Sequence, residues 1–188
     1  TKDAVILNSY ERCCKDKVAF AENFHVVETY ANMQNPPVLV EPVGNGYVQI
    51  NPTWPPATQE EMDSFWDLPY TKLPHPRYKG KHIPAFEMIK FSVNTHRGCF
   101  GGCNFCTIAA HQGKFIQSRS EESILKEIAA LNRLPGFAGN ISDVGAPTAN
   151  MYGMRGKNPE LCLKCRRKSC LFPGPCRNMD RSHERLLK

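Results

Sequence analysis

Three cysteines within eight residues form the part of this sequence that is best suited to chemistry. Cys99, Cys103 and Cys106 are separated by three residues and then by two. Three thiolates can hold three irons of a four-iron cluster, and the fourth iron is then left without a protein ligand. Catalytic metal sites keep an open position of this kind. Gly101 and Gly102 let the backbone curl so that the thiolates converge, because glycine accepts a positive φ at little steric cost.

Other interpretations explain this spacing less well. Structural zinc prefers pairs of cysteines two residues apart, with four ligands in total. Bacterial ferredoxins use two-residue gaps and end the run in Cys-Pro. Three unrelated core cysteines are the remaining alternative, which is disfavoured because grouped cysteines usually bind metal. The spacing therefore favours an iron–sulfur cluster with one open iron.

A resemblance to a known family rests on this motif and on the residues around it. The cysteine spacing, with the aromatic Phe105 directly before the last cysteine, resembles the CxxxCxxC signature of radical S-adenosylmethionine (radical SAM) enzymes. The flanking residues 86–93 and 96–103, the segment 141–151 and the last four cysteines resemble the YgiQ-type family of that superfamily, which is largely uncharacterised. The resemblance covers about residues 51–188.

The resemblance implies two cofactors at the three-cysteine loop. Cys99, Cys103 and Cys106 would ligate a 4Fe–4S cluster, and its open iron would chelate the amino and carboxylate groups of S-adenosylmethionine. An electron from a reductant protein such as flavodoxin or ferredoxin would then yield methionine and a 5′-deoxyadenosyl radical, which removes hydrogen from a substrate. The cofactors supply this chemistry and the protein positions them. The sequence does not identify the substrate.

The resemblance also implies contacts with S-adenosylmethionine. Phe105 would pack near the adenine, the alternative being an aromatic residue of the core. Gly145, Ala146 and Pro147 stand where the superfamily usually has a Gly-Gly-Glu-like segment that binds the methionine amino group. The third position is not acidic here, so the carbonyl of Gly145 or Ala146 would accept those hydrogen bonds. A plain turn at the end of a strand is the alternative for this segment.

A second group of cysteines follows later in the sequence. Cys162, Cys165, Cys170 and Cys176 place four thiolates within fifteen residues, which is enough to close a tetrahedral site. Structural zinc and an auxiliary 4Fe–4S cluster both fit this set, and the spacing does not choose between them. Chance clustering is disfavoured, because grouped cysteines usually bind metal.

Positive charge is concentrated in the same segment. Residues 155–188 hold ten Lys and Arg against three Asp and Glu, whereas the other residues hold fourteen against fifteen. Four thiolates on Zn²⁺ or on a four-iron cluster leave a net negative charge, which these cations can offset. The alternative is a non-enzymatic zinc-binding nucleic-acid module. It is not favoured, because such surfaces usually add aromatic stacking residues and this segment has only Phe172.

Hydrophobic periodicity and turn residues predict an α/β fold. A strand at 87–94 leads into the three-cysteine loop, a helix runs from Ser118–Glu121 to about Leu134, and a strand follows at 140–144. Together these form one βαβ unit with parallel strands. With the resemblance, they predict an incomplete parallel (β/α) barrel of the radical SAM type. The predicted domains are an N-terminal extension and Pro-rich linker (1–85), the start of the barrel (86–154) and a Cys-rich basic metal-binding segment (155–188).

The N-terminal extension is predicted to contain a helix and a β-hairpin. A strand-like run at 4–7 has no evident partner, and the helix spans 10–31. The hairpin spans 38–50, and Pro42 restricts its first arm to the edge of a sheet. The linker contains one helix from Thr58 to about Trp66, which a capping box begins. The apolar positions that roughly follow helical spacing in the first helix are Val18, Phe20, Ala21, Phe24 and Val27.

Cysteine usage and hydropathy give an expectation for the compartment. Nine cysteines among 188 residues, arranged in metal-binding groups, indicate a reducing cytoplasm rather than a disulfide-bonded protein. The sequence has no apolar stretch long enough to cross a membrane and no signal peptide. Too few residues follow Cys106 to complete a barrel, so the chain is expected to be a fragment that does not turn over by itself.

Overall fold

The computed structural model describes residues 4–182, which form two compact units. The first unit contains residues up to 56, 99–115 and 155–181, and the second contains residues 57–98 and 116–154. Each unit combines segments that are distant in the sequence, and the predicted domain division at 85 and 154 stays a prediction. The fold is mixed α/β with small sheets, and no closed barrel forms within the described residues.

Short helices and strands make up both units. In chain order they are β1 (Val5–Ile6), α1 (Tyr10–Cys13), α2 (Lys17–Ala31), β2 (Leu39–Val43), β3 (Gly46–Ile50), α3 (Gln59–Trp66), α4 (Pro84–Ile89), β4 (Ser92–Asn94), β5 (His96–Arg97), α5 (Ile108–Gln112), β6 (Gln117–Ser118), α6 (Glu121–Leu131), β7 (Asp143–Gly145) and α7 (Pro159–Leu163). None of the helices between residues 4 and 182 is long and apolar enough to cross a membrane.

The first unit opens with a three-stranded sheet in the order β1-β2-β3. The predicted hairpin is confirmed, since β2 and β3 pair antiparallel with Val43 opposite Gly46. The expectation that the run at 4–7 lacks a partner is wrong, because β1 pairs parallel with β2. The edge position predicted from Pro42 is also wrong. The parallel ladder reaches only Val40, so Pro42 lies beyond it and no hydrogen bond to β1 is required from its ring nitrogen.

The predicted helix over 10–31 is two helices. Asp16 accepts a hydrogen bond from the Val18 backbone N–H and begins α2 as a new helix, as N-terminal Asp side chains commonly do. The apolar positions do not form a buried side, since Val18, Phe20 and Phe24 are exposed and Ala19 and Asn23 are buried. Asn23 sets this orientation through hydrogen bonds with both backbone groups of Asn8, at 2.8 and 2.9 Å.

The second unit contains the predicted parallel pair. Strands β4 and β7 are parallel, with Val93 opposite Val144, and α6 lies between them in sequence. Ser120 begins α6 by accepting a hydrogen bond from the Ser123 N–H. The predicted strand at 87–94 is wrong over its first half, because Pro84 stands in the first turn of α4 and the strand starts only at Ser92. Proline is well suited to that helical position.

A small apolar core holds the second unit together. Its buried members come from β4, from both ends of α6 and from the segment after β7. They are Val93, Ile124, Leu131 and Tyr152, with Ile128, Leu134, Phe137 and Ile141 packed against them. The apolar residues at helical spacing in α6 thus contribute to this core, except Leu125, which is exposed.

Candidate functional site

The three-cysteine loop belongs to the first unit and is closed by a turn. The Cys106 N–H donates to the Cys103 carbonyl at 3.1 Å, and the Gly101 N–H lies 3.5 Å from Cys99 Sγ. A Cβ placed on Gly101 would stand 3.4 Å from Cys99 Sγ and 3.6 Å from Cys103 Sγ. Two of the three thiols therefore converge over the bare backbone of Gly101, in a space that a larger side chain would fill.

Gly102 is constrained more tightly than Gly101. Its φ is +63°, and a Cβ there would stand 2.8 Å from the Lys168 carbonyl oxygen. Both observations require glycine, since L-residues with side chains rarely adopt this φ and a real Cβ does not approach a backbone oxygen so closely. The role predicted for glycine in bending the loop is thus supported at this position.

Phe105 lies on the outside of the loop. Its side chain is 92% exposed, so it is not an aromatic residue of the core. An exposed ring is free to stack on a ligand, but its contact with adenine stays a prediction. Cys103 is exposed, and Cys99 and Cys106 are half-buried.

The tail cysteines lie in the same unit and form two turns. Cys162 lies in α7, and the Cys165 N–H donates to its carbonyl at 3.1 Å. The Cys176 N–H donates to the Cys170 carbonyl at 2.7 Å. A Cβ on Gly156 would stand only 2.4 Å from Cys162 Sγ, so glycine is needed there to admit the thiol.

Burial dominates the electrostatics of these thiols. Burial raises the pKa of Cys162. A hydrogen bond from the Asn178 side-chain amide lowers this pKa and partly offsets the effect of burial. Burial also raises the pKa of Cys170, against which the Lys114 ammonium acts, while the other tail cysteines raise that pKa further. Both thiols are therefore protonated at neutral pH when no cation is bound.

Neither group of sulfur atoms forms a complete metal site. Between residues 4 and 182, no three His, Cys, Asp or Glu side chains are arranged to hold an ion. Both predicted ligand sets stay predictions. What the structure provides is their backbone, namely two Cys-x-x-Cys turns with the same closing hydrogen bond and glycines where sulfur atoms approach. Thiols on such turns suit iron–sulfur clusters and zinc.

The tail packs directly against the three-cysteine loop. The Cys170 N–H donates to the Phe100 carbonyl at 3.0 Å, and the buried Ser169 hydroxyl donates to the Gly101 carbonyl at 2.5 Å. Both acceptors lie between Cys99 and Cys103. The two cysteine groups are thus parts of one local structure, which their separation in the sequence does not reveal.

Lys114 was not identified from the sequence and lies beside the tail cysteines. Its side chain is only 3% exposed. The Nζ donates to the Arg167 carbonyl and lies 3.7 Å from Cys165 Sγ. No spacing or motif singles out this lysine, because its partners are about fifty residues away in the sequence.

The predicted S-adenosylmethionine segment lies in the second unit, at the end of β7. The Gly145 carbonyl already accepts two hydrogen bonds, from the Thr95 N–H at 2.7 Å and from the Thr95 hydroxyl at 3.2 Å. A carbonyl oxygen has two lone pairs, so that of Gly145 is fully used. Ala146 is half-buried and Pro147 is exposed. The roles of all three stay predictions.

His96 joins the ends of the two parallel strands. Its Nδ1 lies 2.9 Å from the Thr95 hydroxyl, which follows β4, and its Nε2 lies 3.2 Å from the Thr148 hydroxyl, which follows β7. The ring is buried, and this burial lowers the pKa of His96. The sequence gives no sign of this link, because only the strand pairing brings Thr148 to His96.

Comparisons with known proteins support the predicted resemblance. Residues 1–92 match the family model described as Radical SAM N-terminal. The chain is 54% identical to a UPF0313 protein of Bacteroides thetaiotaomicron. It is 50% identical to a UPF0313 protein of Porphyromonas gingivalis and also to the UPF0313 protein YgiQ of Escherichia coli. No solved structure shows a significant match to the chain.

The matches cover nearly all of this chain but less than a third of each relative. The three alignments cover 98%, 96% and 97% of this chain, but only 30%, 28% and 25% of the respective relatives. The similarity therefore begins well before residue 51, where the predicted resemblance starts. The family match ends at residue 92, before the three-cysteine loop. The resemblance is confirmed: over nearly its whole length the chain is a homologue of the longer UPF0313 proteins of the YgiQ type.

Proposed function

We propose that this chain carries the cluster-binding part of a radical SAM enzyme. Cys99, Cys103 and Cys106 hold a 4Fe–4S cluster through three of its irons. The observation that carries this proposal is the convergence of two thiols over Gly101, 3.4 and 3.6 Å from the point where a Cβ would stand. When bound, the cluster and S-adenosylmethionine together supply a 5′-deoxyadenosyl radical that removes hydrogen from a substrate.

The protein's own contribution at this loop is positioning. Gly102 brings the loop backbone against the Lys168 carbonyl, while Ser169 and Cys170 hold the carbonyls of Gly101 and Phe100. These contacts hold the loop backbone between Cys99 and Cys103 against the tail. The Phe105 side chain is exposed, and we propose that it packs against the adenine of S-adenosylmethionine.

We propose that the residues after strand β7, in the second unit, bind the methionine amino group of S-adenosylmethionine. Since Thr95 occupies both lone pairs of the Gly145 carbonyl, the carbonyl of Ala146 is the acceptor we propose, with Pro147 fixing the turn that presents it. The parallel pair β4–β7 is the part of a (β/α) barrel that this chain contributes. Ligands of such folds bind beyond the carboxyl ends of parallel strands, where Ala146 stands.

Anaerobic reconstitution tests the cluster. The chain is incubated with iron, sulfide and reductant, and compared with the Cys99→Ala/Cys103→Ala/Cys106→Ala chain and with Cys14→Ser as the control, because Cys14 is exposed and outside both groups. We expect about four irons fewer per chain in the triple variant and no loss in the control. We also expect S-adenosylmethionine to change the electron paramagnetic resonance spectrum of the reduced parent chain.

Two results would contradict the proposal. One is equal iron and sulfide in the parent chain and the triple variant. The other is a colourless parent chain with stoichiometric zinc, which would support the zinc-binding nucleic-acid alternative. That alternative receives less support from the tail, because several of its cations have partners within the protein. Arg167 donates to the Phe172 and Gly174 carbonyls, and Lys168 pairs with Glu28.

The reaction partners follow from the same proposal. A radical SAM enzyme takes its electron from a reductant protein. We propose that a cytoplasmic flavodoxin or ferredoxin supplies the electron here. The substrate is not assigned.

A further inference from the structure

Lys114 is a buried lysine that lies beside the tail cysteines and has no carboxylate partner among the described residues. Lys114 is 3% exposed. Among the described residues no carboxylate oxygen lies within 4.0 Å of its Nζ. Its nearby partners are the Arg167 carbonyl, Cys165 Sγ at 3.7 Å and the Phe115 ring, whose centroid lies 5.7 Å from the Nζ. A buried charge is costly unless an opposite charge accompanies it, and the candidates beside this ammonium are the tail cysteines.

We infer that Cys162, Cys165, Cys170 and Cys176 form a metal centre closed by four thiolates, and that the Lys114 ammonium balances its negative charge. The centre takes a thiophilic metal, either one Zn²⁺ or one four-iron cluster, since both bind four thiolates with a net negative charge. This proposal does not rest on the proposed function, because its ligands and its cation lie outside the three-cysteine motif.

The backbone around the four cysteines is already arranged for this centre. The turns 162–165 and 170–176 are each closed by a hydrogen bond between their own cysteines. Gly156 leaves the space that Cys162 Sγ occupies, and the Asn178 amide lies 3.4 Å from the same sulfur atom. The four thiols are also near enough to influence one another, since, besides burial, the other three tail cysteines raise the pKa of Cys170.

The centre also supports the loop that carries the other three cysteines. Cys170 donates its N–H to the Phe100 carbonyl, and the neighbouring Ser169 donates its hydroxyl to the Gly101 carbonyl. A metal that fixes Cys170 therefore fixes the acceptor backbone between Cys99 and Cys103. We expect metal in the tail to slow hydrogen exchange in residues 99–106.

Metal analysis of the Cys99→Ala/Cys103→Ala/Cys106→Ala chain separates this centre from the first cluster. One sample is purified with zinc and another is reconstituted anaerobically with iron and sulfide. About one zinc, or about four irons with sulfide, per triple-variant chain supports the proposal and identifies the metal. Loss of that metal on adding Cys170→Ser and Cys176→Ser completes the support. A triple variant that binds neither metal, or keeps the metal without Cys170 and Cys176, overturns it.

Two milder substitutions test the same site without replacing a cysteine, so that misfolding of the cysteine variants cannot decide the result. Gly156→Ala places a Cβ 2.4 Å from Cys162 Sγ, whereas Gly174→Ala places one where nothing lies within 4 Å. Neither glycine has a positive φ, so the pair differs in what the added Cβ meets, which at Gly156 is Cys162 Sγ first and then the Asn178 side-chain nitrogen at 3.0 Å. We expect Gly156→Ala to weaken metal binding on the order of 10-fold or more and Gly174→Ala to leave it unchanged. Equal affinities would overturn the ligand role of Cys162.

Lys114→Met tests the charge balance with two readouts. Methionine keeps the length of the side chain and removes its charge. We expect metal affinity to fall on the order of 10- to 100-fold, as for other groups that support metal ligands. The stability of the chelated chain is expected to stay equal or to rise, because the buried charge is removed. A lysine with a merely structural role would give the opposite result, a less stable chelated chain with unchanged affinity.

Discussion

Among residues 4–182, each unit buries one lysine or arginine, and the two differ in what surrounds the charge. Arg119 in the second unit is 2% exposed. It pairs with Glu127 and donates to the Asn94 carbonyl at 2.7 Å and the Ser123 carbonyl at 2.8 Å. Lys114, five residues earlier, is equally buried in the first unit and has a carbonyl and a thiol beside it instead of a carboxylate.

The difference lies in where each buried cation finds its opposite charge. Glu127 neutralises Arg119 within the protein, and the Arg119 side chain ties α6 to the end of β4. In our proposal, the corresponding negative charge beside Lys114 is provided by the tail thiols, which lose their protons when metal binds. The buried cation of the second unit is therefore neutralised within the protein, whereas that of the first unit is proposed to be neutralised by a metal–thiolate centre.

Removing the charge of Arg119 should have the largest effect on stability. Arg119→Met breaks a buried ion pair and leaves the Asn94 and Ser123 carbonyls without their donor. We expect a loss of about 3–5 kcal/mol in the free energy of unfolding of the second unit. Urea unfolding followed by the fluorescence of Trp66 measures it, because this ring lies 5.0 Å from the Arg119 guanidinium. Trp54→Phe serves as background, since the chain has two tryptophans.

Arg133→Met is the matched control, because Arg133 is exposed and lies just after the same helix. Its expected effect is within about 0.5 kcal/mol of the parent. If Arg119→Met were as stable as this control, the contrast between the two buried cations would not hold. The Lys72–Glu127 pair would then be sufficient for the second unit.

A second prediction concerns the inner side of the three-cysteine loop. Gly102→Ala forces a side chain into a left-handed φ and brings a Cβ to 2.8 Å from the Lys168 carbonyl. The strained φ costs about 1–2 kcal/mol, and the contact raises the total to about 2–3 kcal/mol. We expect faster hydrogen exchange in residues 99–106 and less reconstituted iron.

Gly44→Ala isolates the conformational part of that effect. Gly44 lies in the turn of the β2–β3 hairpin with a φ of +54°, but nothing lies within 4 Å of its Cβ position. We therefore expect only the strain of the positive φ, about 1–2 kcal/mol. Equal losses for the two variants would show that the approach of the loop to the Lys168 carbonyl is unimportant.

Features encoded by neighbouring residues could be predicted from the sequence. The capping box of α3 forms as expected, with the Thr58 hydroxyl accepting from the Glu61 N–H and the Glu61 carboxylate accepting from the Thr58 N–H. The hairpin β2–β3 also forms. In both cases a short segment contains the hydrogen-bonding group and its partner. The parallel pair β4–β7 joins segments about fifty residues apart, and it could be predicted from the strand–helix–strand order instead.

Contacts between distant segments could not be predicted in the same way. The partner of β1 lies more than thirty residues away, and the lysine beside Cys165 is 51 residues from it. Polar groups decided both the orientation of α2, through Asn23, and the packing of the tail, through Ser169. Hydrophobic periodicity carries no information about such contacts. The cysteine spacings predicted the two ligand sets, but not that Cys170 and Phe100 are joined by a hydrogen bond.

The smallest predicted effect is a pH dependence in the second unit. Burial lowers the pKa of His96 below its usual 6.5, so the folded protein holds the ring neutral while the unfolded chain takes up a proton near that pH. The unfolded state thus binds more protons, and stability rises with pH in this range. We expect full stability above pH 6.5 and a progressive loss as the pH falls toward the folded-state pKa of His96. The free energy of unfolding of the parent and of His96→Gln, compared at pH 7.5 and 5.5, measures this loss. His25→Gln is the control, because His25 is exposed. A decrease that persists unchanged in His96→Gln would assign the pH dependence to other groups and remove His96 from the link between β4 and β7.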